Sequence, residues 1–203
     1  GGAGRPASEV GEATRAMYDG GVVHTSDLLA RVFAALRLRG PLDRTVLVVV
    51  SDHGEAFYEH DQPTHGTALY EEQVRSLLMV RVPGAAARRV AAPVSLLDVA
   101  PLLLELLGLP AHGNFQGRGD ILDEDYDGAA RPLFFTIQGL TREDGLLLDD
   151  WKYQVNWDRR ERRLSHLGRD PGELLDLAAA EPATARRLDA LLLGLLERQL
   201  AYY

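Results

Sequence analysis

The sequence predicts an α/β fold with a small antiparallel sheet and a terminal helix added at its C-terminal end, on three observations. Val46 to Val50 is an unbroken apolar run, mostly β-branched and too short for a helix. With no alternation in it, such a run reads as a central strand covered on both faces. Segments with helical spacing flank it, and a second short apolar run, Leu77 to Val82, follows. From Arg131 onward long helices give way to short apolar clusters between turn signals, the pattern of a small antiparallel sheet.

Length and composition bound the function. At 203 residues the chain suits one domain with a real core. A formal net charge of −8 and a pI near 5.2 argue against a nucleic-acid partner, which calls for a basic face. With no cysteine, neither a disulfide framework nor a thiolate metal site is available, and the compartment stays open. No apolar run approaches the ~20 residues that span a bilayer. The start, Gly1-Gly2-Ala3-Gly4-Arg5-Pro6, reads as loop with neither an initiator Met nor a signal-peptide pattern, as expected of a chain that was processed or is a piece of a longer protein.

The first helical segment opens with Ser8 as N-cap and Glu12 in its first turn. Val22, Leu29, Val32, Phe33 and Leu36 form its apolar stripe; Gly20-Gly21 weakens it enough to divide it, and Gly40-Pro41 ends it. His24 and Asp27 fit helix-surface pairing or capping better than metal ligation.

The Val46–Val50 strand stops at Ser51-Asp52-His53-Gly54. In open α/β sheets ligands bind beyond the carboxyl ends of strands, where loops are free to carry polar groups. Asp52 offers a hard oxygen and His53 a nitrogen that suits zinc, manganese or iron, with Gly54 allowing a sharp turn. His65, in the same loop, is a third candidate. Residue types alone favour a strand-end Asp that caps the next turn beside a hydrogen-bonded, partly buried His53.

Downstream, Asp98 as N-cap places Pro101 in the first turn of a helix that Gly108 and Pro110 close. Asp123, Asp125, Asp127 and Gly128 imitate the opening of a calcium loop, but position twelve is Phe134, so a mobile acidic loop is expected. Strands are expected over Leu133–Gln138, Gly145–Leu148, Lys152–Trp157 and Arg162–Leu167. The basic cluster Arg159, Arg160, Arg162 and Arg163, diluted by Asp158 and Glu161, reads as a solvated hairpin tip. A last helix begins near Pro182 and presents Leu188, Leu191, Leu192, Leu195 and Gln199 along one stripe that packs on the sheet.

Val46 to Glu55, then Glu59-His60, His65-Gly66 and Leu69-Tyr70-Glu71-Glu72, resemble the sulfatase branch of the alkaline phosphatase superfamily. Gly117 to Leu122 and Asp170-Pro171-Gly172-Glu173 with Leu177-Ala178 extend the resemblance to most of the chain. It implies part of an alkaline-phosphatase-like sheet with flanking helices. Asp52 and His53 would be ligands of a divalent cation, calcium in the first place and zinc or manganese as alternatives. His65 would contact the ester or protonate its leaving group, where many sulfatases have Lys. Asp61 stands where the family usually has Gly, and Leu77 where Pro is common.

The family's nucleophile motifs, Cys-x-Pro-x-Arg or Ser-x-x-x-Arg, belong to its N-terminal half, and neither occurs ahead of the Val46–Val50 strand. The chain is therefore expected to be the C-terminal half of a metal-dependent sulfuric ester hydrolase, inactive alone, with the missing N-terminal half as its partner and a small-molecule or glycan ester as substrate. Residues 1–128 would belong to the α/β catalytic domain and 129–203 to a C-terminal subdomain. The alternatives are a phosphodiesterase, phosphonate monoester hydrolase or phosphoethanolamine-type transferase of the same superfamily, or a non-catalytic remnant that binds a partner.

Overall fold

The computed structural model describes residues 7–40, 42–128 and 130–202, so the loop expected over residues 1–6 and the Pro41 part of the helix stop lie outside the described residues. The chain divides into two compact units, Gly1–His65 with Arg75–Arg88, and Gly66–Val74 with Arg89–Tyr203.

In the first unit, helix α1 (Ala7–Leu38) leads through a 3-10 turn at Leu42–Arg44 to strand β1 (Leu47–Val50), which pairs with β2 (Leu78–Arg81). The break expected at Gly20-Gly21 does not occur: α1 is one helix of 32 residues. A glycine costs a helix about 1 kcal/mol relative to alanine, but unlike proline it keeps its N–H, so the hydrogen-bond ladder runs on. Ser8 lies inside the helix rather than at its cap, because the backbone is already helical at Ala7. Gly40, at φ +82°, supplies the left-handed stop. Of the expected stripe, Leu29, Phe33 and Leu36 are half-buried while Val22 and Val32 are exposed.

The expectation for β1 also needs correction. Its one hydrogen-bonded neighbour among the described residues is the antiparallel β2, with Leu47 opposite Arg81 and Val50 opposite Leu78. No β1 residue is fully buried and Val50 is exposed. Two short strands leave a face and an edge of the ladder open, whatever the apolar content of the run.

The second unit begins with one helical turn, α2 (Glu71–Val74), and continues with α3 (Val99–Leu106). Asp98 precedes α3 and Pro101 falls in its first turn, as expected. The Asp98 carboxylate does not cap that helix. Its oxygens accept from the N–H of Ser95 and of Arg118, both at 2.8 Å, and from both guanidinium nitrogens of Arg131 at 2.8 and 2.5 Å. Burial would raise its pKa, but these donors outweigh that and hold it below the usual carboxylate range. The acidic loop is pinned by Tyr126, whose hydroxyl donates to the carbonyl of Pro93 at 2.9 Å.

Strands β3 (Leu133–Gln138), β4 (Arg142–Leu148), β5 (Trp151–Asn156) and β6 (Glu161–His166) form an antiparallel meander in sequence order. Helix α4 (Pro182–Tyr202) covers one face, where Leu188 and Leu192 meet Leu146, Tyr153, Val155 and Leu164 with almost no exposure. The opposite face is polar yet also buried. Lys152 donates to Glu71 at 3.0 Å and to Glu173 at 3.1 Å, and Gln154 donates to Glu173 and to the carbonyl of Leu69. The hairpin-tip arginines are partly tied down, with Arg162 paired to Asp189 at 3.3 Å and Arg163 donating to the carbonyl of Glu173.

Candidate functional site

The site lies in the first unit, where β1 ends. Ser51 closes the ladder: its N–H donates to the Leu77 carbonyl at 3.0 Å, and its hydroxyl accepts from the Leu77 N–H at 2.8 Å. A side-chain oxygen thus replaces the next backbone acceptor, and the chain is free to leave the sheet at Asp52.

Asp52 is turned to solvent, its side chain 88% exposed. One carboxylate oxygen accepts from the N–H of His53 at 3.0 Å, and the other stands 3.7 Å from His53 Nε2. His53 Nδ1 lies 2.6 Å from the Gly54 carbonyl. A carbonyl only accepts, so Nδ1 carries the proton and the Nε2 lone pair is left for a ligand. The His65 ring stacks on that of His53, centroids 4.1 Å apart and planes 30° apart. Asp52, His53 and His65 are therefore brought together, while His24 and Asp27 remain on exposed turns of α1.

The loop that carries them is tied at two places. Glu55 accepts from the backbone N–H of His65 at 2.6 Å and faces its Nδ1 at 2.9 Å. Burial alone would raise the Glu55 pKa, but the His65 and Ala56 donors bring it below the ordinary value. Further along, Glu59 accepts from the Phe57 N–H and from Arg15 of α1, both at 2.5 Å. Tyr18 meets Phe57 edge-on at 5.3 Å, and Gly11 allows α1 to come so close that a Cβ there would lie 2.5 Å from the Phe57 carbonyl oxygen. Sequence reasoning assigned no role to Glu55 or Arg15. Their partners lie 10 and 44 residues away, beyond any helical or strand period.

Among the described residues no group of three or more His, Asp or Glu is gathered closely enough to hold a metal ion. Asp52 and His53 offer two donors. Their 3.7 Å separation is one that two ligands of a single cation can have at ligand distances of about 2.0–2.4 Å.

Residues 5–109 match the family model for sulfatases. The chain belongs to the sulfatase family. It is similar to arylsulfatase K of Danio rerio, 30% identical over 195 residues that make up 90% of this chain and 37% of that protein. This sulfatase chain thus spans little more than a third of the length of that relative. In fold it resembles BT4656, solved in complex with its substrate D-glucosamine-2-N,6-O-disulfate (TM-score 0.73, 22% identity, 87% of this chain and 39% of that one). It also resembles the phosphonate monoester hydrolase of Agrobacterium radiobacter (TM-score 0.77, 23% identity, 93% of this chain and 42% of that one). These likenesses show that the chain shares the fold of these two enzymes, an α/β fold as the family resemblance implies.

Proposed function

We propose that the chain is the cation-binding part of a metal-dependent sulfuric ester hydrolase, with Asp52 and His53 as ligands and His65 serving the departing alcohol. The reading is carried by one observation: the Asp52 carboxylate, the lone pair of His53 Nε2 and the His65 ring meet where β1 ends. The donor set is one oxygen and one neutral nitrogen, both accessible, which fits a divalent cation; calcium is favoured by the family resemblance, with zinc and manganese as alternatives. Such a cation supplies Lewis-acid polarisation of the ester and lowers the pKa of a nucleophile. His65, as the imidazolium, gives its Nε2 proton to the leaving oxygen as the S–O bond breaks and is left as the neutral ring.

Two donors do not hold a catalytic cation; zinc takes about three protein ligands and calcium six or more oxygens. The remaining ligands and the nucleophile are assigned to an N-terminal half of the same domain. In this reading residues 1–128 belong to the catalytic α/β domain, residues 129–203 form its C-terminal subdomain, and the chain alone does not turn over substrate. The exposed apolar residues of the first unit, among them Val22, Val32, Val50 and Met79, are consistent with a further apolar partner. A sulfated sugar is the substrate class suggested by the disulfated glucosamine of the structural neighbour.

The test is hydrolysis of an aryl sulfate by the full-length parent with added divalent cation. Asp52→Ala is expected to bring product release to background, and activity that survives the substitution overturns the reading. A phosphorus ester is the second reading, favoured by the fold shared with a phosphonate monoester hydrolase. Rates on paired aryl sulfate, phosphate and phosphonate esters decide between them.

A further inference from the structure

Glu55 is the residue that holds His65, and it does so with both oxygens. Oε1 accepts from the His65 backbone N–H at 2.6 Å and from the Ala56 N–H at 3.2 Å. Oε2 faces the imidazole Nδ1 at 2.9 Å. One carboxylate thus fixes the backbone position of His65 and the direction of its ring. The anchor is largely withdrawn from solvent at 19% exposure, while the ring it holds stays 47% exposed.

We propose that Glu55 is the positioning residue of His65: it keeps the proton of the neutral imidazole on Nδ1, so that Nε2 faces the ester, and the second proton that the imidazolium carries on Nε2 is the one given to the leaving oxygen. A carboxylate has no proton to give, so the nitrogen facing it must be the donor. The Thr64 hydroxyl, 3.4 Å from the same Nδ1, can donate or accept and selects neither tautomer. Turning the ring over would exchange Nδ1 for a carbon and forfeit the Glu55 bond, and the stack on His53 keeps it in plane. His53 follows the same rule, since its Nδ1 is spent on the Gly54 carbonyl. Both rings are held through Nδ1, and both leave Nε2 for chemistry. Partners behind a working histidine are as consequential for its orientation as the ring itself.

The consequence for catalysis rests on the role given to His65 above; the tautomer does not. Ring-nitrogen NMR on the chain labelled with 15N-histidine, in mildly alkaline solution where imidazole is neutral, reads it directly. The His65 signals are those lost in His65→Asn. The wild-type ring is expected as Nδ1–H. In Glu55→Gln the amide oxygen can still accept from the His65 backbone, but its NH2 faces Nδ1, so the ring is expected to switch to Nε2–H. An Nε2–H ring in the wild type, or an unchanged tautomer in Glu55→Gln, overturns the proposal. In the full-length parent Glu55→Gln is expected to lower kcat roughly 10- to 100-fold with KM little changed, most for esters with poor leaving groups. An unaltered kcat across leaving groups refutes the positioning role. If instead His65→Asn leaves hydrolysis of those esters intact, the catalytic reading of His65 fails and the tautomer assignment stands.

Discussion

Glu55 and Glu173 each hold a basic partner, and the two pairs differ in almost every physical respect. The Glu55–His65 pair closes a loop at 2.9 Å with the ring half-exposed. The Glu173–Lys152 pair spans 3.1 Å with both side chains fully buried. The contrast extends to the units that contain them. Ala56 is the one fully buried apolar residue of the first unit among the described residues, whereas the second encloses the Leu146–Tyr153–Leu164–Leu188 core. An accessible pair can meet a ligand and contributes little to folding; a sealed one cannot meet a ligand, and its loss leaves a charge stranded in a dry interior. The first unit supplies an accessible loop, and the second supplies packing.

Removing one partner of the sealed pair gives the largest effect. Glu173 also accepts from the N–H of Glu71 at 2.7 Å and from Gln154 at 3.1 Å, so Glu173→Ala takes an acceptor from three donors together, leaving Lys152 only Glu71 and Gln154 only the Leu69 carbonyl. Glu173→Ala is expected to destabilise the second unit by about 3–5 kcal/mol, measured by urea denaturation. Glu55→Gln is expected to change stability by less than about 1 kcal/mol in the same assay. Comparable losses in the two variants would erase the contrast.

A second substitution sharpens it through pH. Glu143 is 7% exposed, and burial pushes its carboxyl up to about 7 against the attraction of Lys152. The ordinary value is 4.5, so between 4.5 and about 7 the folded chain keeps a proton that the unfolded chain has released. Stability therefore falls as pH rises through that window, by about 3 kcal/mol at ~1.4 kcal/mol per unit, and is level above it. Glu143→Gln is expected to flatten this slope, leaving stability near pH 4.5 unchanged and raising it at pH 8. Denaturation midpoints at the two pH values check this, and a slope that persists in the variant removes Glu143 as its source.

What could be read from the sequence follows the same division. The bounds of β3 match expectation because Leu133–Gln138 carries its apolar content openly. Strand β4 begins at Arg142 rather than Gly145: Arg142-Glu143-Asp144 looks like turn chemistry, yet Glu143 and Asp144 are both buried. In β5 the alternation Lys152-Tyr153-Gln154-Val155 gives the strand but suggests a wet polar face. That face is dry because Glu71, the Leu69 carbonyl and Glu173 meet it from distant parts of the sequence. At the candidate site, Asp52 and His53 were legible as polar residues at a strand end. The Glu55 and Arg15 contacts were not, because loop closure follows no period.

The smallest effect concerns strain in the site loop. Asp61 stands where the family usually has glycine, and its φ of +57° gives the physical reason for that preference. The turn is set by two hydrogen bonds, from the Tyr58 N–H to the Gln62 carbonyl at 2.9 Å and from the Asp61 N–H to the Tyr58 carbonyl at 3.3 Å. A side chain in the left-handed region costs energy that glycine avoids, though glycine also gives the unfolded chain more freedom to lose. Aspartate tolerates this conformation better than most residues, so the balance is narrow. Asp61→Gly is expected to stabilise the loop by about 0.5 kcal/mol and no more than about 1, read as slower amide exchange at Tyr58 and Asp61. A loss of protection would mean that the Asp61 side chain does more in this turn than strain it, and the loop would then depend on its own polar groups as heavily as the second unit depends on Glu173.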